Sequence, residues 1–526
     1  MNILTEILLQ AERTPNAAAI VQFGRGSGCS FDEEILCSYR TLVEQAQGLC
    51  TRILRRVAAD AQVGVVMGNS AEWVLADLAL MLAGCTQVPV PLAFSAPQAG
   101  WLLQNCAVVL TDASGAMRLQ EWLETGLDLP RNTMHVVFGH YQQQSAAAPT
   151  SRAALSGPDR IVKVVHTSGT TFRPKGVRIR RDGLDALVSA LWQRASKDDY
   201  RRYLSLVPFS LLIEQVTAIY LPLTSGGALL LPPADMLPLG SPGVIAADRL
   251  EIIRAARASA LTLTPALVEA LAAQAIRLAG RADALHALFG RPTAPLLAAG
   301  GAPVANQTLT TLDQLGIPVY QGYGLSENSS VATWNHRGAN RIGTVGQPLP
   351  HVEVRVADDG ELCLRSTSLF AGYSNDDPSS CIVDDDGWLH TGDLATRDSE
   401  GFVTITGRKK TLIITANGRN VSPEWLESAY RSVPGVLHVI VYGDDRQFLG
   451  GIFVVADRSR ADEIRLAIAD YARRHLSEIE HIHTPLLIEH SPDVMAQLFT
   501  VTGRPRRDAI APFLSLQKDP SVHEHP

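Results

Sequence analysis

Residues 165–177 gather Thr167, Ser168, Gly169, Thr170 and Thr171 ahead of Phe172, Arg173, Pro174, Lys175 and Gly176. Hydroxyls and backbone N–H groups can wrap a chain of phosphates, glycine lets the backbone approach closely, and a lysine supplies a mobile point charge. The segment is not a Walker A loop, which needs Gly-x-x-x-x-Gly-Lys-Ser/Thr. Here Gly169 stands six residues ahead of Lys175, and Gly176 follows the lysine. Clusters of Ser, Thr and Gly also make ordinary surface loops. Alone, the segment leaves both readings open.

More clusters follow in order. Gln321, Gly322, Tyr323, Gly324, Leu325, Ser326 and Glu327 come directly after the apolar run 316–320, which reads as a buried strand. Residues 387–394 contain His390, Thr391, Gly392 and Asp393; residues 406–414 contain Arg408, Lys409 and Lys410; residues 417–427 contain Gly418, Asn420, Pro423, Glu424 and Glu427. Singly, Tyr323 would be a half-buried core aromatic, Asp393 a turn residue and Arg408 the partner of a surface acid. As an ordered set, these segments resemble the core motifs of the ANL superfamily of adenylate-forming enzymes, which includes acyl-CoA synthetases, adenylation domains and luciferases. The resemblance covers nearly the whole chain.

The resemblance implies a two-step reaction. A carboxylate attacks the α-phosphate of ATP to give an acyl-adenylate and pyrophosphate, and a thiol then takes the acyl group. The protein must neutralise phosphate charge and hold an in-line geometry. On this reading Thr167, Ser168, Gly169, Thr170, Thr171 and Lys175 meet the β- and γ-phosphates. Tyr323 stacks on adenine beside Gly300, Gly301, Ala302 and Gly324. Ser326 approaches the α-phosphate, Glu327 ligates Mg²⁺, and Asp393 with Arg408 holds the ribose hydroxyls. Lys410 is the implied hinge, a site where a few residues absorb backbone torsion, and Gly418 faces the thiol tunnel.

Three departures from the family pattern bear on activity. Phe172 replaces a usual glycine, and a bulky side chain cannot take a positive φ without strain. Arg504 stands where the family's catalytic lysine is expected, keeping the charge but presenting a planar fork. Leu211 replaces a frequent histidine, which makes the acyl entrance more apolar. Residues 205–213 contain no acid to pair with a substrate ammonium, so an uncharged hydrophobic acid is expected, with Leu211, Leu212 and Val216 as pocket candidates or plain core. The segments around Glu214 and 420–425 look most like fatty acyl-CoA synthetases.

The leading expectation is therefore an AMP-forming acid–thiol ligase for a fatty or other hydrophobic acid. It would use ATP, Mg²⁺, and CoA or a carrier-protein phosphopantetheine, with Arg504 doing the lysine's work. The alternatives are a catalytically impaired nucleotide- or acyl-adenylate-binding protein, supported by Phe172 and Arg504, and an adenylating enzyme with a non-thiol acceptor.

Such residues need a scaffold. Short β-like runs at 63–67, 87–91, 107–111, 162–166, 204–207, 228–231, 261–264 and 296–299 alternate with helix-like stretches, which predicts α/β layers with mainly parallel strands. Helix 184–194, with Asp182 as N-cap, would put the phosphate loop between a strand and a helix. Apolar residues alternating on either side of Asp358, Asp359 and Gly360 predict a hairpin over 352–364. Beyond Lys410 the pattern restarts as a strand, a helix from Pro423, a strand pair within 436–455 and a helix over 461–476. The fold class is thus α/β, with layered α/β subdomains in a large N-terminal domain (1–409). A hinge joins it to a small mobile α+β C-terminal domain (410–515), followed by a flexible tail (516–526).

Composition agrees. A chain of 526 residues, 46% hydrophobic and 19% charged, buries more than one core, and a net charge of −7 offers no general basic surface for nucleic acid. Its seven cysteines, Cys29, Cys37, Cys50, Cys85, Cys106, Cys363 and Cys381, include no Cys-x-x-Cys pair. They are expected to be reduced and structural, without zinc or disulfides. The N-terminus lacks a basic segment followed by an apolar one, and the most apolar helix candidate, 73–85, contains Asp77 and is too short to span a bilayer. A cytoplasmic enzyme with a core helix at 73–85 is the expectation.

Overall fold

The computed structural model describes residues 1–26, 30–126, 132–141, 160–167, 175–237, 239, 244–374, 382–414, 420–444, 448–500 and 505–517. Two parallel-dominated sheets form the body. One runs in the order Thr133–His135, Val108–Thr111, Gln62–Val66, Thr86–Pro89, Ile161–Thr167, Lys175–Arg180. Only its last pair is antiparallel. The other is nine-stranded, with a parallel centre and antiparallel pairs toward both edges. Strands such as Val108–Thr111 and Ala228–Leu231 are buried along their whole length, because helices cover both sheet faces. A third, antiparallel sheet contains Val352–Val356, Glu361–Ser366, Leu389–Arg397, Ile382–Val383 and Val403–Arg408. It includes the expected hairpin.

The core helix is Ala71–Ala83. The Ser70 side chain caps its start by accepting from Trp73 N, and Gly84 ends it in the left-handed region at φ 68°. Its Asp77 is buried with a partner: Lys163 of strand Ile161–Thr167 donates to Asp77 and to Gln87, and the Tyr220 hydroxyl donates to Asp77 at 2.8 Å.

Several boundaries differ from the sequence reading. The segment expected to grip phosphates, residues 168–174, connects two antiparallel strands rather than a strand and a helix. Thr167 faces Lys175 and Ile161 faces Arg180 across the pair. Val177 and Ile179 are fully buried while Arg178 is exposed, so the alternation past the loop is that of a strand. Helix Arg181–Trp192 begins earlier than expected, with Arg180 at the N-cap. Asp182 sits in its first turn, where a negative charge suits the helix dipole. The strand expected over 316–320 starts at Val319, because Gly316 at φ 75° closes the preceding helix and Pro318 has no N–H to donate. The strand expected over 204–207 is Arg202–Leu204, fixed by the pairing of Tyr203 with Leu229.

Beyond residue 410, the strands Val436–Tyr442, Leu449–Val455 and Ile482–Glu489 pack with helices Pro423–Tyr430, Ala461–His475 and Arg507–Gln517. The apolar clusters respect this division. Three lie within residues 3–403 and two within 413–513. Contacts across it include the Ser428 hydroxyl and the Arg431 guanidinium, which both donate to the Pro303 carbonyl, at 3.3 and 3.2 Å.

Candidate active site

Strand Leu296–Ala299 runs out at Gly300, where an added Cβ would stand 3.1 Å from the Gly322 carbonyl. Gly301 then turns the chain at φ 80°. This brings 300–302 alongside strand Val319–Leu325. Gly324 admits no side chain at all, since a Cβ there would lie 1.7 Å from the Ser330 carbonyl. The strand passes into the tight turn Ser326–Asn328, after which Ser329 and Ser330 take φ values of 52° and 111°. Such backbone strain in non-glycine residues gathers at functional sites.

Tyr323, Asp393 and Arg408 form one hydrogen-bonded unit. The Tyr323 hydroxyl donates to Asp393 Oδ2 at 2.6 Å and Arg408 Nε donates to Oδ1 at 2.6 Å. Asp393 and Arg408 are register partners on adjacent antiparallel strands, and the Asp393 carboxylate is buried while Arg408 remains half exposed. Burial, together with the Asp393 carboxylate, pushes Tyr323 well above the usual phenol range, so it stays a donor. Each carboxylate oxygen still has a lone pair for an incoming hydroxyl.

A second junction lies at Tyr373, which sequence reasoning missed. Its hydroxyl donates to Glu327 Oε1 at 2.7 Å, and Lys175 Nζ stands 5.9 Å from its ring centroid, within cation–π range. Residues 370–374 extend the sheet beside strand Lys175–Arg180: Ala371 N donates to the Arg178 carbonyl, Arg178 N to Gly372, and Ser374 N to Gly176. The Glu327 carbonyl accepts from Phe370 N. The acid expected to hold Mg²⁺ and the lysine expected at the phosphates therefore meet one aromatic ring. The only sequence signal was an aromatic pair flanking Gly372, which is too weak to single out.

Lys410 is exposed in a turn in which Lys409 N donates to the Gly392 carbonyl and Leu412 N to Arg408. Of the acyl-pocket candidates, Leu212 and Val216 are buried in the core and Leu211 is half-buried. Glu214 is fully buried, 3.4 Å from the Tyr203 hydroxyl, and burial raises its carboxyl to about 8 against the opposing hydrogen bonds from Ser205 and Tyr203. It is the N-cap of a π-helical turn, Gln215–Tyr220, a rare form frequent at functional sites. Ser168, Gly169, Thr170, Thr171, Phe172, Gly418, Arg504 and the Thr167 side chain lie outside the described residues.

Residues 8–374 match the family described as AMP-binding enzyme. The long-chain-fatty-acid–CoA ligase FadD15 of Mycobacterium bovis is 30% identical over 76% of this chain and 74% of its own length. The long-chain-fatty-acid–CoA ligase ACSBG2 of Xenopus laevis is 26% identical over 76% of this chain and 62% of its own. Among solved structures, the anthranilate CoA ligase AuaEII in complex with anthranoyl-AMP superposes with a TM-score of 0.77 at 18% identity, covering 98% of both chains. O-succinylbenzoate Coenzyme A synthetase of Bacillus subtilis, solved with ATP and magnesium ion, superposes at 0.72 and 19% identity over 96% of this chain and 98% of its own. The fold is that of these large-plus-small-domain proteins.

Proposed function

The chain belongs to the AMP-binding enzyme family, and from that premise we propose that it is an AMP-forming ligase joining a long-chain or similarly hydrophobic carboxylic acid to the thiol of CoA. The observation that carries this reading is the Tyr323–Asp393–Arg408 unit standing with the Glu327–Tyr373–Lys175 junction. The first supplies a ring and a carboxylate for adenosine; the second supplies a hard oxygen ligand for Mg²⁺ and a cation for phosphate. Ser326 and the 167–171 hydroxyls complete the phosphate grip. Arg504 supplies the charge at the adenylating centre, and Lys410 is the hinge between domains 1–409 and 410–515. The separate apolar clusters on either side of residue 410 support that boundary.

An uncharged acyl group fits the 205–216 segment, because Glu214, raised to about 8, is mostly neutral at pH 7 and offers no counter-ion to an ammonium. CoA is favoured over a carrier protein because the similar proteins named above are CoA ligases. No described helix is long and apolar enough to cross a membrane, and Cys37, Cys50, Cys85, Cys106 and Cys363 are buried free thiols, which accords with a reducing cytoplasm.

The test is pyrophosphate release with Mg-ATP across straight-chain, hydroxylated and aromatic acids, each with and without CoA. CoA-dependent turnover of a hydrophobic acid is the expected result. Turnover that ignores CoA would shift the acceptor to a carrier protein or a non-thiol group. ATP binding without turnover would overturn the ligase reading in favour of a nucleotide-binding protein. Arg504→Ala is expected to slow adenylation about a hundredfold, the scale of losing one transition-state donor, and Arg504→Lys to preserve it. Unchanged adenylation in Arg504→Ala would remove that residue from the mechanism.

A further inference from the structure

Beside the Asp393–Arg408 pair, three side chains with metal-ligand chemistry converge on the antiparallel sheet. Glu361 and Cys363 lie two residues apart on strand Glu361–Ser366, hence on one face, and Cys363 is the register partner of His390 on Leu389–Arg397. His390 Nδ1 is 3.1 Å from Glu361 Oε2 and 3.6 Å from Cys363 Sγ. The carboxylate, thiol and imidazole donor atoms all lie within 4.8 Å of one another. Glu361 and Cys363 are buried while His390 is partly exposed, so an ion can arrive from the histidine side. The other ring nitrogen, Nε2, stands 3.3 Å from Asp384 Oδ2. That is how a carboxylate orients a ligating histidine.

Charged side chains surround this cluster. Asp359, Glu361 and Asp384 face Lys409, Arg355 and His390, and the hydrogen bond to Glu361 together with Asp384 holds the imidazole above its ordinary pKa. Lys409 Nζ is 3.0 Å from Glu361 Oε2 and 2.6 Å from Asp359 Oδ2, and Arg355 is 3.7 Å from Asp384.

The geometry points to a site for a thiophilic divalent cation of the zinc class, held by Glu361 Oε2, Cys363 Sγ and His390 Nδ1 in exchange for the Lys409 ammonium. Thiolate, imidazole and carboxylate together suit zinc rather than the hard Mg²⁺ of the nucleotide centre. Binding releases the Cys363 and His390 protons to solvent and leaves every oxidation state unchanged. Lys409 directly precedes Lys410, so an occupied site frees the chain beside the proposed hinge; that consequence rests on the hinge reading, whereas the site does not.

Co²⁺ is the probe, added to the full chain without ATP, acid or CoA, so failure of the ligase reading leaves the test intact. A thiolate-to-cobalt charge-transfer band is expected, displaced by Zn²⁺, absent in Cys363→Ser and weakened about tenfold or more in affinity by His390→Ala, with circular dichroism confirming the fold of both variants. Lys409→Met should tighten binding by removing the competing cation. No band in the wild-type chain, or a band that survives Cys363→Ser, overturns the site. Unaltered affinity in Lys409→Met overturns the exchange.

Discussion

Asp393 directs both carboxylate oxygens at its own chain, one to the Tyr323 hydroxyl and one to Arg408. The ring expected against adenine and the acid expected on ribose are thus preset as one piece. Hydrogen bonds to a charged group contribute about 1.5–3 kcal/mol each, so Asp393→Ala, which strands both donors, should weaken ATP binding at least about tenfold by titration calorimetry. Tyr323→Phe keeps the ring and should cost much less. Equal losses in the two variants would mean that the hydroxyl, not the ring, is what the nucleotide needs. Tyr373 acts one step further out, by orienting Glu327. Tyr373→Phe retains the ring beside Lys175 and should raise the Mg²⁺ concentration for half-maximal activity about tenfold, the scale of losing an outer-shell partner of a metal ligand. An unchanged Mg²⁺ dependence would remove Glu327 as the ligand or Tyr373 as its orienter.

The elements that present these residues are held by buried polar contacts as well as by apolar packing. Strand Ile161–Thr167, which leads into the proposed phosphate loop, is tied through Lys163 to Asp77 on helix Ala71–Ala83 and to Gln87 on the neighbouring strand. Burial lowers the Lys163 pKa and the Asp77 carboxylate opposes that shift, so the ion pair persists only because both partners are present. Lys163→Met would leave Asp77 buried with only the Tyr220 hydroxyl, and breaking such a pair costs about 3–5 kcal/mol. A lower urea midpoint for the N-terminal domain is expected, with much of the loss recovered when Asp77→Leu is added. No recovery would locate the cost in packing volume instead. Sequence periodicity predicted the core helix around Asp77 and the strand containing Lys163, but nothing in either segment indicated that they pair.

At the scale of the molecule, Glu214 makes stability depend on pH. Its carboxyl titrates near 4.5 when unfolded and is raised to about 8 by burial in the fold. Between those values the folded chain holds a proton that the unfolded chain has released, so stability falls as pH rises across the window, by up to about 1.4 kcal/mol per unit, and levels off above about 8. Glu214→Gln should flatten this slope and gain its largest advantage over wild type at about pH 9, read as the thermal midpoint against pH. Parallel slopes in the two proteins would assign the effect to other groups. The apolar clusters stop on either side of residue 410, so residues 1–409 should fold alone and bind ATP but lose turnover with the Arg504 segment. By itself, the sequence determined the motif residues, the α/β alternation, the hairpin at 352–364 and the restart after Lys410, because periodicity and turn chemistry act over a few neighbouring residues. Only the tertiary structure decided that the proposed phosphate loop joins two strands, that Tyr373 meets Glu327, and that Glu361, Cys363 and His390 converge. Tyr323 and Asp393 are 70 positions apart, and Lys163 and Asp77 86 apart. Partners at such separations are chosen by how whole sheets and helices pack, which no local pattern encodes.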